Sequence, residues 1–151
     1  MPRFEQFRLR WLERFLNRLD RAALRRSSEP AHLATGRRGE RAAYFYLRHR
    51  GFIVTARGWR TSRARGDIDL VAWENDTLCF VEVKTRTTRA VAPAEAAVDT
   101  DKKRMLRKMA RHYLRQLPAR DVPIRFDILS IYFEPGKPAD FELFRAAFGW
   151  E

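Results

Sequence analysis

Two carboxylates and a lysine on neighbouring β-like segments have the residue types of a metal-dependent hydrolytic site. Asp69 lies in the segment 67–73, and Glu82 and Lys84 lie in the segment 78–85. Carboxylate oxygens are ligands that Mg²⁺ prefers, and a bound metal lowers the pKa of its water and polarises a phosphoryl oxygen. A neighbouring ammonium can orient that water and favour its deprotonated form. The chemistry that these residues indicate is hydrolysis of a phosphodiester.

The pairing register of the two segments decides whether these charges meet. If the residues that flank the polar loop 74–77 pair with one another, strict strand alternation places Asp69 opposite Glu82 and Asp67 opposite Lys84. Like charges opposed at about 4.5–5.5 Å need a counter-cation, which either the lysine or a divalent metal supplies. The alternative is a solvated sheet face with an Asp67–Lys84 ion pair. A register slip of one residue would separate the charges.

Glu40 is a further acidic candidate on a helix that is predicted to follow Thr35 as its N-cap and to end at Gly51. It lies on the apolar side of that helix, where Gly36 and Gly39 allow a close approach to a neighbouring element. Glu40 therefore either points into the site or stabilises the helix start, where negative charge is favourable.

The chain is strongly basic, with 31 Lys+Arg against 19 Asp+Glu among 151 residues and a formal net charge of +12. Of the basic residues, 26 are arginine, whose planar guanidinium suits bidentate phosphate contacts. Residues 35–65 hold 9 basic and 1 acidic residue and residues 101–133 hold 9 and 3, whereas residues 66–100 hold 3 and 7. This alternation either reflects chance over short windows or indicates a cation-holding centre between two phosphate-binding flanks.

The candidate nucleic-acid contacts are basic residues around the hairpin and on a helix predicted at 94–117. They are Arg37, Arg38, Arg57, Arg60, Arg63, Arg65, Arg86, Lys102, Lys103, Arg104, Lys108 and Arg111. From residue 101 to the end of this helix, Asp101 is the only acidic residue beside seven basic ones. This composition favours phosphate binding over an ordinary solvated face.

The order of the predicted elements indicates an α/β domain with a mixed sheet. A helix precedes three strands at 52–59, 67–73 and 78–85, and a second helix precedes a strand at 124–133. Residues 1–34 form a basic amphipathic helix and linker, and 35–151 form the domain. The apolar stripe at 4–19 is expected to contact the domain, a second subunit, nucleic acid or an anionic membrane surface.

Two broad classes of protein are excluded by composition. The single cysteine, Cys79, rules out a disulfide framework and a multi-thiolate metal site. No apolar run approaches the roughly 18 residues of a membrane span, so no integral membrane segment is expected. Arginines recur through residues 1–26, unlike a secretory signal, and a cytoplasmic location follows as an expectation.

Four motifs resemble those of the bacterial YraN-like proteins, an uncharacterised family with the restriction-endonuclease-like fold of the PD-(D/E)XK nuclease superfamily. The motifs are GRRGE at 36–40, GDIDLVA at 66–72, FVEVKTR at 80–86 and RFD at 125–127. The resemblance implies an αβββαβ core with a central mixed sheet flanked by helices, to which the N-terminal amphipathic helix is an addition. Asp67 and Gly58 depart from the family pattern, which usually has Glu and Asn there.

The resemblance also implies roles for individual residues. Asp69, Glu82 and the backbone carbonyl of Val83 correspond to ligands of Mg²⁺, for which Mn²⁺ is the alternative. Lys84 corresponds to the catalytic lysine, and Glu40 to the helix acid beside the metal. The implied function is a Mg²⁺-dependent nuclease or nuclease-like protein acting on nucleic acid, with DNA favoured over RNA. Because fold membership does not establish catalysis, the alternative is a nucleic-acid-binding module that retains the fold without cutting.

Overall fold

Two helices and five strands make up the computed structural model, which describes residues 31–89, 98–118 and 121–151. The elements are α1 (Ala31–His49), β1 (Ile53–Thr61), β2 (Ala64–Glu74), β3 (Thr77–Arg86), α2 (Thr100–Leu114), β4 (Ile124–Tyr132) and β5 (Asp140–Phe148). The strands form one sheet in the order β1-β2-β3-β4-β5. Strands β3 and β4 are parallel, and the other neighbours are antiparallel. The predicted α/β class and the αβββαβ order are confirmed, with β5 completing the sheet.

The helices cover opposite faces of the sheet. Helix α1 contributes Ala43 and Leu47 to a core with one face of the central strands, and α2 contributes Leu106 and Met109 to a core with the other face. Strands buried on both faces are expected to be almost continuously apolar, as β3 is from Leu78 to Val81. The central strands therefore form a rigid base for the side chains at their ends.

The hairpin register that the sequence predicts is confirmed, since Trp73 pairs with Leu78. The predicted four-residue loop is too long, because Glu74 also pairs with Thr77 and leaves only Asn75 and Asp76 in the turn. Asn75 has a φ of +52°, a left-handed conformation that asparagine tolerates better than most residues.

The predicted start of the helix that contains Glu40 is wrong. Thr35 lies inside α1, which begins at Ala31, and no glycine or proline between these residues interrupts the helix. The described residues do not include the amphipathic helix and partner contact predicted at 4–19. They also do not include residues 94–97 of the helix predicted at 94–117. The division into 1–34 and 35–151 stays a prediction.

An ionic network joins β2, β4 and β5 at the hairpin end of the sheet. Arg125 bonds Glu74 at 2.5 Å and the fully buried Asp127 at 2.7 Å, and Arg145 also bonds Glu74, at 2.6 Å. The backbone N–H of Ala146 donates to Asp127 at 2.9 Å. These bonds hold β5 against the central strands. Within the ranges that the structure describes, no helix has the length and apolarity to cross a membrane.

Candidate metal centre

Asp69 is fixed where strands β2 and β3 separate. The β2–β3 pairing runs from the hairpin turn to Leu70 and Val81, and beyond this pair the backbone N–H of Val83 donates to Oδ2 of Asp69 at 2.7 Å. The carboxylate therefore takes the place of a strand partner. This bond holds Asp69 beside β3, next to Glu82, as the register predicts.

Two lysines bracket Glu82, whose side chain is only 4% exposed. Nζ of Lys84 lies 3.1 Å from Oε1, and Nζ of Lys102, from the first turn of α2, lies 3.0 Å from Oε2. The geometry at Oε2 is that of an ion pair alone, since this buried oxygen accepts no hydrogen bond from the described part of the chain. The predicted association of Lys84 with Glu82 is present, and Lys102 adds a second positive charge.

Glu40 lines the same cleft as the carboxylate pair. This cleft has a volume of about 540 Å³ and lies between α1 and the end of β3. Its lining is Thr35, Gly36, Glu40, Asp69, Glu82, Val83, Thr85, Arg86, Thr87 and Thr88. Of the two interpretations of Glu40, the structure favours the one in which it points into the site.

Close packing at Gly39 brings α1 to the cleft. A Cβ atom at Gly39 would lie 1.9 Å from Oγ1 of Thr85, so only glycine lets the helix approach β3 this closely. The prediction for Gly36 is wrong, because no described atom lies within 4 Å of a Cβ built there. The residue beside Glu40 therefore sets the helix position, while Gly36 only lines the cleft.

The carboxylates perturb one another's ionisation. Burial and the negative charge of Glu82 raise the pKa of Asp69 to about 7, although the N–H bond from Val83 opposes the rise. Burial, Asp67 and Glu82 also raise the pKa of Glu40. Burial alone would lower the pKa of Lys102, but the carboxylates around it outweigh burial and raise it. The cleft therefore concentrates negative charge that needs a cation.

Asp67 departs from the predicted arrangement. Its Oδ2 pairs with Arg60 on β1 at 3.2 Å and Lys84 pairs with Glu82, so the alternative with an Asp67–Lys84 ion pair is wrong. Strict alternation along β2 also fails, because Ile68 packs on the α2 side with Val71 while Leu70 packs on the α1 side. The change of side occurs next to the last β2–β3 pair, beyond which β3 no longer constrains β2.

The donor set of the cleft fits a hard divalent cation. Mg²⁺ usually takes one or two carboxylates and keeps several waters. Asp69 and Glu82 supply two carboxylates, and Oε2 of Glu82 accepts no hydrogen bond from the described residues. Residues 31–89, 98–118 and 121–151 contain no cluster of three acidic, histidine or cysteine side chains. The roles of Glu40 and of the Val83 carbonyl as further ligands stay predictions.

The predicted nucleic-acid contacts fall into separate groups. Arg63, Arg65, Arg104 and Lys108 line a second cleft of about 540 Å³ between the β1–β2 turn and α2. Arg86 lines the carboxylate cleft, and its buried Nε has no hydrogen-bond partner within the described ranges. Arg104 also pairs with Asp101 at 2.8 Å, and the role of these five residues as phosphate contacts stays a prediction.

The other basic candidates have partners in the protein. Arg38 lies over the ring of Phe133, Arg57 over Tyr44, Arg111 over Trp150 and Lys103 near Phe148, while Arg60 pairs with Asp67 and Lys102 with Glu82. Arg37 is placed on the first turns of α1. The predicted basic face of α2 is thus divided, because part of it holds the C-terminal aromatic residues.

The model of the uncharacterised protein family UPF0102 matches residues 39–131. The chain belongs to this family. A UPF0102 protein of Koribacter versatilis is 50% identical over 131 residues, which cover 87% of this chain and 90% of that protein. UPF0102 proteins of Solibacter usitatus and Porphyromonas gingivalis are 46% and 40% identical, over 66% of this chain and 75% and 72% of their own lengths. The resemblance to the uncharacterised YraN-like family is confirmed.

The segment that matches the UPF0102 model contains the carboxylate pair and both lysines. Sequence reasoning placed Lys102 among the phosphate contacts and missed its ion pair with Glu82. The one sequence signal was Asp99, whose side chain caps α2 by accepting from the backbone N–H of Lys102 at 2.7 Å. That cap sets the start of α2 and so places Lys102 in its first turn. Which group the Lys102 ammonium contacts, however, depends on how α2 packs on the sheet.

Proposed function

We propose that this UPF0102 protein is a divalent-metal-dependent phosphodiesterase that acts on nucleic acid, with DNA as the first substrate to test. The observation that carries the proposal is the pairing of Asp69 and Glu82 at one end of a single cleft, with Lys84 3.1 Å from Glu82. Two desolvated carboxylates beside an ammonium form an arrangement suited to holding a metal next to a phosphate.

Each residue of the cleft has a role in this proposal. A divalent cation held by Asp69 and Glu82 would lower the pKa of a water and polarise a phosphoryl oxygen. Lys84 orients the attacking water and stabilises the negative charge that develops on the phosphate. Arg86, which lines the cleft, holds a phosphate oxygen through its guanidinium group. Water attacks phosphorus, the P–O ester bond breaks, and the leaving oxygen takes up a proton.

The experiment is a cleavage assay with the purified full chain. Single-stranded, duplex, nicked and branched DNA and the matching RNA are incubated with Mg²⁺, Mn²⁺ or EDTA. Glu82→Gln and Lys84→Met are expected to lower the rate about 100-fold or more, as loss of a preorganised electrostatic group does. Lys137→Met, which removes a surface lysine paired with Glu134, serves as the control. Absence of cleavage on every substrate, or equal rates in all variants, contradicts the catalytic proposal.

A nucleic-acid-binding module without catalysis is the second candidate. It is favoured by the two lysines that already neutralise Glu82, and by the absence of a three-carboxylate cluster in the described segments. The same preparations separate the candidates: a binding module retains its DNA affinity in EDTA and in Glu82→Gln. Its affinity should also fall steeply with salt, because Arg63, Arg65 and the basic face of α2 would contact phosphates.

The proposed function also implies a cytoplasmic location. Cys79 is a fully buried thiol whose pKa burial raises to about 12, so it needs no disulfide partner. Such a thiol is compatible with a reducing compartment in which nucleic acid and Mg²⁺ are both present. Fractionation of cells that produce the protein at its natural level tests the location directly.

A further inference from the structure

Lys102 is held in place by the fold and is not an ordinary surface lysine. Its backbone N–H donates to the capping side chain of Asp99 at 2.7 Å. Further along the same helix, Leu106 and Met109 are buried against the sheet. The ammonium is thereby directed to Oε2 of Glu82, 3.0 Å away, and the whole side chain is only 26% exposed.

Two ammonium groups already offset the carboxylate pair in the cleft without a metal. Two carboxylates, Asp69 and Glu82, face two ammonium groups, Lys84 and Lys102, and Glu40 adds one more negative charge in the same cleft. A divalent cation added to this set would leave more positive than negative charge. Like charges within about 4–6 Å disfavour one another, so one ammonium has to leave Glu82 when a dication binds.

Lys102 is the ammonium that can leave. Lys84 is two residues from Glu82 on the same strand, so the backbone keeps it close. Lys102 belongs to a separate element and reaches Glu82 through its flexible side chain, and its contact has no hydrogen-bond geometry at Oε2. That oxygen is also the carboxylate atom that a metal could take over without breaking a hydrogen bond from the described residues.

We propose that Lys102 is a built-in counter-cation of Glu82 that a divalent metal ion displaces. The inference rests on the metal site of the proposed function and adds how that site is regulated. The lysine holds the carboxylates neutral in the metal-free protein and weakens metal binding by competing for Glu82. Metal affinity in the free protein is therefore set by α2 as well as by the two ligand strands.

Mn²⁺ binding to the free full-length protein tests the proposal without any measurement of cleavage. Free Mn²⁺ is counted by electron paramagnetic resonance at fixed ionic strength, for the unmodified chain and for Lys102→Met, Lys137→Met and Asp69→Asn. Lys102→Met removes the competing charge and should bind Mn²⁺ about tenfold tighter, as loss of one charge at this range permits. Lys137→Met removes the same charge from an exposed lysine that pairs with Glu134, outside the cleft, and should change the affinity less than twofold.

The outcomes distinguish this inference from the proposed function. If the unmodified chain binds Mn²⁺ and Asp69→Asn abolishes it, the metal site stands. In that case, equal affinities of Lys102→Met and Lys137→Met, or weaker binding by Lys102→Met, overturn the role of Lys102. If no variant, including Lys102→Met, shows binding that depends on Asp69, both ideas fall. Lys102→Gln is measured alongside, and circular dichroism selects the variants that fold.

Discussion

Substitution of Asp69 by Asn should stabilise the metal-free protein at alkaline pH. The raised pKa of about 7 means that the folded state holds this carboxyl protonated over a range in which the unfolded chain, with a value of 3.8, has already released the proton. The free energy of unfolding therefore falls as pH rises from about 4 to about 7. Above pH 7 both states are ionised, and the full cost of the buried charge remains.

The size of the effect follows from linkage. About 1.4 kcal/mol per pKa unit gives a ceiling of about 4 kcal/mol for the difference between 3.8 and about 7. Glu82 carries part of the same repulsion, so we expect a gain of about 2–4 kcal/mol at pH 8. Asparagine retains a side-chain oxygen that can accept the 2.7 Å bond from the Val83 N–H, so the substitution removes the charge and keeps the contact.

Urea unfolding in EDTA at pH 5 and pH 8 measures the prediction. The control is Asp121→Asn, which makes the same chemical change at an exposed carboxylate. The free energy of unfolding of Asp69→Asn should exceed that of the unmodified chain by clearly more at pH 8 than at pH 5. The free energy of unfolding of Asp121→Asn should equal that of the unmodified chain at both pH values. A difference that does not change with pH would refute the reasoning, because it would show that the ionised Asp69 costs the fold nothing.

Two further predictions concern the packing and the ionic network. Gly39→Ala should lower the free energy of unfolding by about 1–3 kcal/mol because its Cβ meets Thr85, whereas Gly36→Ala has open space and should be neutral or slightly stabilising. Chemical denaturation measures both variants, and a Gly39→Ala/Thr85→Ala double variant that recovers no stability contradicts this account. Hydrogen bonds from Arg145 and Arg125 lower the pKa of Glu74 to about 2, so its stabilisation is present above pH 4.5 and is lost as pH falls toward 2. Glu74→Gln should lower the free energy of unfolding by about 1 kcal/mol at neutral pH, because solvent screens the network, and by less at pH 3. Urea titrations measure both values, and an equal loss at the two pH values argues against an ionic origin.

The hairpin and its carboxylates were predictable because their determinants are local. Alternation along β3 and the polar turn fix which residues pair, and the Trp73–Leu78 pair then brings Asp69 next to Glu82. Glycine next to Glu40 was a second local signal, since only a residue without Cβ allows the helix to touch Thr85. Patterns with periods of two and 3.6 residues carry this information directly in the sequence.

The partners of the carboxylates were not predictable because they depend on how distant elements pack. Lys102 is 20 residues from Glu82 along the chain. The two side chains form an ion pair only because α2 packs on the sheet in a position that brings its first turn to Glu82. Beyond Leu70, β2 is paired with β1 and no longer with β3, so Asp67 lies near Arg60 of β1. The alternation of side chains along a strand does not predict such a change of partner strand. Side chains at the ends of strands are therefore the least predictable part of such a site.

The separation of β2 from β3 makes the site, and it explains why a buried Glu82 and a partly buried Asp69 are held side by side. Where the strands part, the N–H of Val83 no longer donates to a carbonyl of β2 and is bonded by Asp69 instead. A buried backbone donor must be paired, so Asp69 is held by a need of the sheet itself. Glu82, one residue earlier on β3, then lies next to a charge that cannot move away. Lysines from β3 and α2 compensate the charge of Glu82 in the metal-free fold, and the network around Glu74 secures the other end of β2. The cleft therefore combines a rigid pair of oxygen donors with movable positive charge, which is the combination that reversible binding of a cation requires.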